Sequence, residues 1–251
     1  MKGARLDQAL VAAGLAPSRT RGRALVAAGV VLVDGRPATR PSAEVPPGAR
    51  LELTGDPMPY VSRAAPKLVH ALAVFGLDPA GAVALDLGAS TGGFSQVLLQ
   101  AGAAEVWAVD VGHGQLAPAL RADPRLHAIE GLNARELTAA HVPPPDWIVA
   151  DLAFIPLATA LPAALGLARP GAVLVALIKP QFEVGPAFVG KGGIVRDAAA
   201  IARARVGVRD FLTGAGWDVT GEAASPIAGG DGNAEFLIAA RKPVTPRPAG
   251  P

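Results

Sequence analysis

The chain contains no cysteine. That excludes disulfides, thiolate-ligated metals and every mechanism built on a thiol nucleophile. Aromatic residues make up only 4%, with Ala, Gly, Pro and Val filling the apolar half of the composition. The four histidines, His70, His113, His127 and His141, never fall at metal-ligand spacing, so no metal is expected. The longest uncharged run, Leu152 to Ala168, is interrupted by Pro156 and Pro162 and reads as core, because a spanning helix needs about 20 apolar residues. The opening MKGARLDQAL has neither the apolar stretch nor the small-residue cleavage site of a signal peptide, so a cytoplasmic protein without membrane contact is expected.

Charge is modest overall and uneven in placement. Residues 1–67 carry ten Lys/Arg against five Asp/Glu, while residues 68–251 carry thirteen against sixteen. A basic head on a mildly acidic body suits a polyanionic partner. In the head, Leu6, Ala9, Leu10 and Ala13 space as one short amphipathic helix stopped by Gly14. Ser18 is placed to cap a second helix, whose buried side is expected to be Ala24, Leu25 and Ala28. VVLV with the turn DGR signals a hairpin, and RLEL a last short strand. Arg19, Arg21 and Arg23 cluster at the start of the second helix, with Arg5, Arg36 and Arg40 nearby in sequence. Guanidinium groups fork onto phosphates, so these six are the candidate residues for a phosphate-tracking surface; a solvated charged face is the plainer alternative. The ordered set RLD, GLA, SR, DG over residues 4–54 resembles the small RNA-binding "S-four" domain, and the resemblance implies RNA contact.

Residues 55–61 read as a Pro/Gly-rich linker, residues 62–242 as one larger domain, and residues 243–251 as a disordered tail. In the larger domain, apolar strands alternate with helical stretches: AVALDLG, EVWAVDV, LHAIEG, WIVADLAF, AVLVALIK and a late pair, WDVTGEAASPI and AEFLIAAR. That alternation predicts an α/β fold with a parallel, doubly wound sheet. After the first strand comes GASTGGF. It lacks the lysine of a P-loop and the spacing of a dinucleotide fingerprint. Asp86 stands before its first glycine, which favours a ligand carrying positive charge, and Asp110 ends the next strand, where a carboxylate can take both hydroxyls of a ribose. S-adenosylmethionine (AdoMet) combines those properties, and the expected cofactor residues are Asp86, Gly88, Ser90, Thr91, Gly92, Gly93, Phe94, Asp110, Val111 and Asn133, the last reading the adenine edge. An ordinary αβ turn with glycines for tight packing remains the alternative.

Two strands close on charged residues, Asp151 and Lys179, and ends of successive strands line one crevice. Pro66 precedes Lys67 in the first turn of the helix entering the larger domain, and Glu235 opens the last strand after GDGNA. The set Lys67, Asp151, Lys179, Glu235 resembles the tetrad of FtsJ-like RNA 2′-O-methyltransferases. The stretches GASTGGF, AVDVGHGQL, DLAFI, KPQFEVG, GKGGIVRD and GNAEF are similar to the TlyA family, long labelled hemolysin, in a Rossmann-like class I methyltransferase fold. The resemblance covers nearly the whole chain and implies AdoMet-dependent methylation of cytidine ribose in ribosomal RNA, by a protein expected to be monomeric. Ala64 and Ala65 stand where relatives usually have glycine.

A ribose hydroxyl is a poor nucleophile until its proton is shared with a base. Lys179 is the expected base, Asp151 its orienter, and Lys67 and Glu235 the positioning partners. Phe154 and Phe182, just past the two strand ends, could stack on a target base or simply fill the core. GKGGIVRD, with Lys191 and Arg196, reads as a flexible loop within reach of RNA phosphates. Cytosine C5 chemistry is disfavoured without a cysteine, amino-group methylation without an Asn/Asp-Pro-Pro-aromatic turn, and membrane lysis without a cationic amphipathic segment. The competing reading is an RNA-binding module that senses AdoMet without turnover.

Overall fold

A computed structural model of the chain describes residues 3–16, 18–54 and 60–244. Most of the expected linker (55–59) and tail (245–251) lie outside the described residues. The chain divides into two compact units, residues 1–59 and 60–251.

The head unit begins with β1 (Ala4–Arg5), α1 (Leu6–Ala12) and α2 (Arg19–Ala27), followed by β2 (Val31–Val33), β3 (Arg36–Pro37), β4 (Glu44–Val45) and β5 (Leu51–Leu53). Ser18 caps α2 through its side chain, which accepts from the Arg21 amide. β2 pairs antiparallel with β3 across the Asp34-Gly35 turn and with β5 on its other side. Leu6, Leu10, Leu25, Val26 and Val31 form the small core. Two expectations are corrected here. The buried face of α2 is Gly22, Leu25 and Val26, while Ala24 and Ala28 are exposed, and Ala13 is exposed beyond the end of α1. The reason is Gly22: a Cβ there would lie 3.1 Å from the Asp7 carbonyl oxygen, so glycine lets the two helix backbones approach and turns α2 by one step toward α1.

The body unit opens on α3 (Ala65–Phe75). β6 (Val83–Leu87), α4 (Gly93–Gln100), β7 (Glu105–Asp110), α5 (Pro118–Arg121) and β8 (Leu126–Glu130) follow. Next come β9 (Trp147–Ala150), α6 (Leu157–Ala160), α7 (Pro162–Leu167), β10 (Val173–Ile178), α8 (Pro180–Glu183), α9 (Ala198–Gly214), β11 (Asp218–Ala224) and β12 (Phe236–Arg241). The seven strands form one sheet in the order β11-β12-β10-β9-β6-β7-β8. All neighbours are parallel except at β12, which runs antiparallel to both β10 and β11. The sequence pattern predicts a parallel sheet and gives no hint of this one reversal.

β10 shows why its sequence is continuously apolar. Val173, Val175 and Leu177 enter one core with α3 and α4, while Leu174, Ala176 and Ile178 enter the other with α6, α7 and α9. A strand covered on both faces has no side on which a polar residue is tolerated. The chain order reverses direction at β6, whose neighbours β7 and β9 lie on opposite sides, and that switch point opens a crevice beyond the strands' carboxyl ends.

Candidate active site

Geometry at the switch point is set by glycine. Gly88, directly after β6, has φ +80°, and a Cβ there would lie 2.8 Å from the carbonyl oxygen of Asp151. Only glycine permits both that conformation and that approach. Gly93, at the start of α4, is similarly close to Ser62, so the segment leading into α3 rests on the glycine loop. The Val61 amide donates to the Gln96 side chain at 2.8 Å and fixes the same contact.

Two cavities adjoin here. The larger, about 690 Å³, is lined by Gly88, Ser90, Asp110, Val111, Asn133 and Asp151, with apolar walls from Leu132, Ala134, Leu152 and Ile155. The smaller, about 250 Å³, is lined by Ser62, Ala64, Gly93, Phe94 and Lys179 and shares Gly88, Ser90, Asp151 and Ala153 with the first. Asp151 therefore stands at the junction. Three expected cofactor residues line neither cavity. The Thr91 carbonyl accepts from the Ala117 amide, and a side chain on Gly92 would run into Leu116 and Leu120, so both serve the packing of the loop on α5. Asp86 lies beneath the loop, fully buried.

Asp110 holds the loop as well as facing the cavity: Oδ2 accepts from the Ser90 amide at 2.8 Å and Oδ1 from the Gly112 amide at 2.7 Å. Each carboxylate oxygen keeps a free lone pair for a ribose hydroxyl. Asn133 uses Oδ1 to accept from the Arg135 amide, which leaves its amide hydrogens for a base edge. Gln115, which sequence reasoning missed, lines the larger cavity and bonds Ser90 Oγ at 3.1 Å. It sits in an irregular segment, so no periodicity could have flagged it.

Asp86 is the most perturbed group. Burial pushes its carboxyl up to about 7, with the nearby Asp151 charge adding to the shift and the Ser95 hydrogen bond (2.6 Å) opposing it. Its Oδ1 is buried without a hydrogen-bond partner. A buried acceptor left unpaired at this point is an unmet demand for a cation or donor. Together with the carboxylate of Asp110 and the apolar walls, this donor set fits a cationic nucleoside such as AdoMet. The sign of the pH effect follows. An unfolded Asp ionises near ~3.9, so between there and about 7 the folded state holds the extra proton and stability falls as pH rises. Asp86→Asn should therefore gain melting temperature relative to the parent between roughly pH 5 and pH 8; an unchanged difference across that range would contradict the assignment.

The four charged residues form two pairs of different character. Lys179 Nζ lies 2.6 Å from Asp151 Oδ1, and both side chains remain partly accessible at the cavity wall. Lys67 Nζ lies 2.5 Å from Glu235 Oε2, in a pair nearly closed to solvent. The reversal of β12 explains the convergence: Ile178 pairs with Phe236, so the residue before β12 arrives at the same sheet edge as the residue after β10. Beside them, the Asp231 carboxyl accepts from Gln181 Nε2 and Asn233 Nδ2. Burial raises the Asp231 carboxyl, but hydrogen bonds from Asn233 and the Lys179 charge outweigh it and hold the group below its ordinary value.

Phe154 is 90% exposed, with φ +65°. That excludes a core role, and a non-glycine residue in this region is a strained position that persists only where its surroundings impose it. Its ring lies 5.2 Å from that of half-buried Phe182. The GKGGIVRD segment is tied down rather than loose. Buried Asn233 accepts from the Val195 amide and donates to the Gly193 carbonyl, leaving Lys191 and Arg196 exposed. In the head, Arg5, Arg19 and Arg23 all meet one carboxylate, Asp7. Arg36 and Arg40 are exposed, and Arg21 is half-buried. Among the described residues no group of three or more His, Asp or Glu side chains is placed to hold a metal, and no helix is long and apolar enough to cross a membrane.

The sheet order, the glycine loop and the carboxylate ending β7 define a Rossmann-like methyltransferase domain. The family model for FtsJ-like methyltransferases matches residues 60–242, and the S4 domain model matches residues 4–51. The 16S/23S rRNA (cytidine-2′-O)-methyltransferase TlyA of Mycobacterium tuberculosis is 48% identical over 237 residues, covering 94% of this chain and 88% of that protein. Hemolysin A of Brachyspira hyodysenteriae is 35% identical over 235 residues, covering 93% and 98%. A solved hemolysin-named protein of Streptococcus thermophilus superposes with TM-score 0.75 at 38% identity, covering 98% of this chain and 90% of that one. The chain belongs to the TlyA family of FtsJ-like methyltransferases.

Proposed function

We propose that the protein transfers the methyl group of AdoMet to a cytidine ribose 2′-hydroxyl in ribosomal RNA, acting as a monomer in the cytoplasm where ribosomes reside. The observation that carries the reading is the Lys179–Asp151 contact of 2.6 Å at the junction of the two cavities. The relative named as a 16S/23S rRNA (cytidine-2′-O)-methyltransferase supports the choice of ribose and of RNA.

Asp110 would hold the nucleoside hydroxyls and Asn133 the base edge, with Gly88, Ser90 and Val111 shaping the walls. Asp86, beneath the loop, would favour the cationic end without touching it, and Gly93 and Phe94 would close the smaller cavity where the methyl is handed over. AdoMet, when bound, supplies an electrophilic methyl on a sulfonium. Lys179 stands where it can take or share the proton of a hydroxyl brought into the smaller cavity, and Asp151 fixes the direction of its amine. Lys67 and Glu235, paired at the ends of α3 and β12, would position the ribose and complete the network. Charge is neutralised during transfer, so placement of the reactants in line supplies much of the rate. Phe154 offers an open ring face to an unpaired base at the rim. Arg5, Arg19, Arg21, Arg23, Arg36 and Arg40 would track phosphates.

The test uses the full chain with purified ribosomal subunits and radiolabelled AdoMet. Label should enter RNA and survive in alkali-resistant dinucleotides, since a methylated 2′-oxygen blocks backbone hydrolysis. Binding of both RNA and AdoMet without any transfer would instead establish the sensing module.

A further inference from the structure

Asp7 is a carboxylate in the middle of a surface otherwise read as phosphate-binding. It lies in the first turn of α1, at the crossing with α2, and its side chain is entirely shielded from solvent. What shields it is arginine. Arg5 forks onto it, Nε to Oδ1 at 3.1 Å and a terminal nitrogen to Oδ2 at 3.3 Å. Arg19 reaches Oδ2 at 3.3 Å from the first turn of α2, and Arg23, one turn further on, places Nε 3.4 Å from the same oxygen. The three arginine side chains stay 42%, 55% and 60% exposed. Their outer faces are therefore available while their inner ones are committed.

We infer that Asp7 is a positioning residue for RNA binding, which gathers Arg5, Arg19 and Arg23 into one preset phosphate clamp. The inference rests on the RNA-binding reading of the head. Arginine carries large rotamer freedom, and its planar fork loses less of it per hydrogen bond when already oriented. A carboxylate shared by three guanidiniums removes that freedom in advance and holds like charges together at a spacing they would not keep alone. Because each guanidinium has more N–H donors than Asp7 uses, the outward ones remain for phosphate oxygens. The patch keeps a net charge of two positive, less than three free arginines would offer. Affinity is gained through order, at the expense of charge.

That trade gives the test its sign. Asp7→Asn adds one positive charge to the RNA-facing surface, so charge alone would tighten binding. Positioning requires the opposite. With full-length protein and a fluorescein-labelled ribosomal RNA hairpin, anisotropy at about 0.15 M salt should show binding weakened roughly tenfold in Asp7→Asn. Arg19→Ala should then weaken the Asp7→Asn background less than it weakens the parent, because a released arginine has less to lose. Equal or tighter binding by Asp7→Asn, or strictly additive losses, would overturn the inference. Should that variant fold poorly, Arg19→Lys answers the same question: it keeps the charge and loses the fork, so several-fold weaker binding supports the clamp and unchanged binding refutes it. Failure of the parent itself to bind the hairpin would sink the RNA reading instead.

Discussion

Lys179→Ala is expected to abolish methyl transfer, by about three orders of magnitude or more, while leaving AdoMet affinity within roughly threefold of the parent. The asymmetry follows from position. Lys179 lines only the smaller cavity, and the residues facing the larger one come from the end of β7 and the segments after β6, β7, β8 and β9. Removing the amine takes away the group that would activate a hydroxyl; Asp151 loses its partner, but Asp110, Asn133 and the apolar walls that would hold the donor are left in place. Transfer rates under single turnover, measured with calorimetric AdoMet binding on the same samples, separate the two effects. Retention of full activity would end the proposed role. Parallel loss of AdoMet binding would mean that Lys179 belongs to the donor site instead.

Glu235→Ala should behave differently, with a large loss of stability of about 3–5 kcal/mol. It leaves the Lys67 ammonium inside the protein, where the side chain is only 8% exposed, with its 2.5 Å partner gone. An uncompensated buried charge is far more damaging than the absence of the pair. The double replacement Lys67→Met with Glu235→Leu should therefore recover most of the stability while activity stays low. Denaturant unfolding of the parent, both single variants and the double variant closes this cycle. Additive losses would show that the two residues do not act as a buried pair. Lys179→Ala should cost less in the same measurement, since the Lys179–Asp151 pair keeps 14% and 13% exposure against 8% and 3% for Lys67 and Glu235.

How much of this could be read from the chain varies with the physical source of each feature. β10 was legible because burial on both faces forces an unbroken apolar run, and a charge ending such a run is anomalous enough to mark a site. The glycine loop was legible for the same kind of reason: Gly88 has a backbone conformation and a close contact with Asp151 that few residues could satisfy. The division of the four charges into an accessible pair and a buried pair was not legible. It depends on β12 running backwards and on its register with β10, which no local pattern encodes. Thr91 and Gly92 stand in a motif that suggests cofactor residues, yet they line neither cavity and contact the segment at α5, because a loop has two sides and spacing does not say which faces a cavity. Asp7 was invisible for a further reason. Its meaning comes from arginines on α2 that reach it only once two helices cross, and an isolated acid in a first turn reads as a favourable helix charge. β1 and β4, two residues each, are too short to leave a period at all.

The central claim is that the methyl group goes to ribose oxygen. It is tested most directly by treating ribosomal RNA with the protein and isotopically labelled AdoMet, digesting it to nucleosides and locating the label by mass spectrometry. The account predicts labelled 2′-O-methylcytidine, absent when Lys179→Ala replaces the parent. Label on a base, such as a ring carbon or exocyclic amine of cytosine, would contradict it, as would RNA that returns unlabelled.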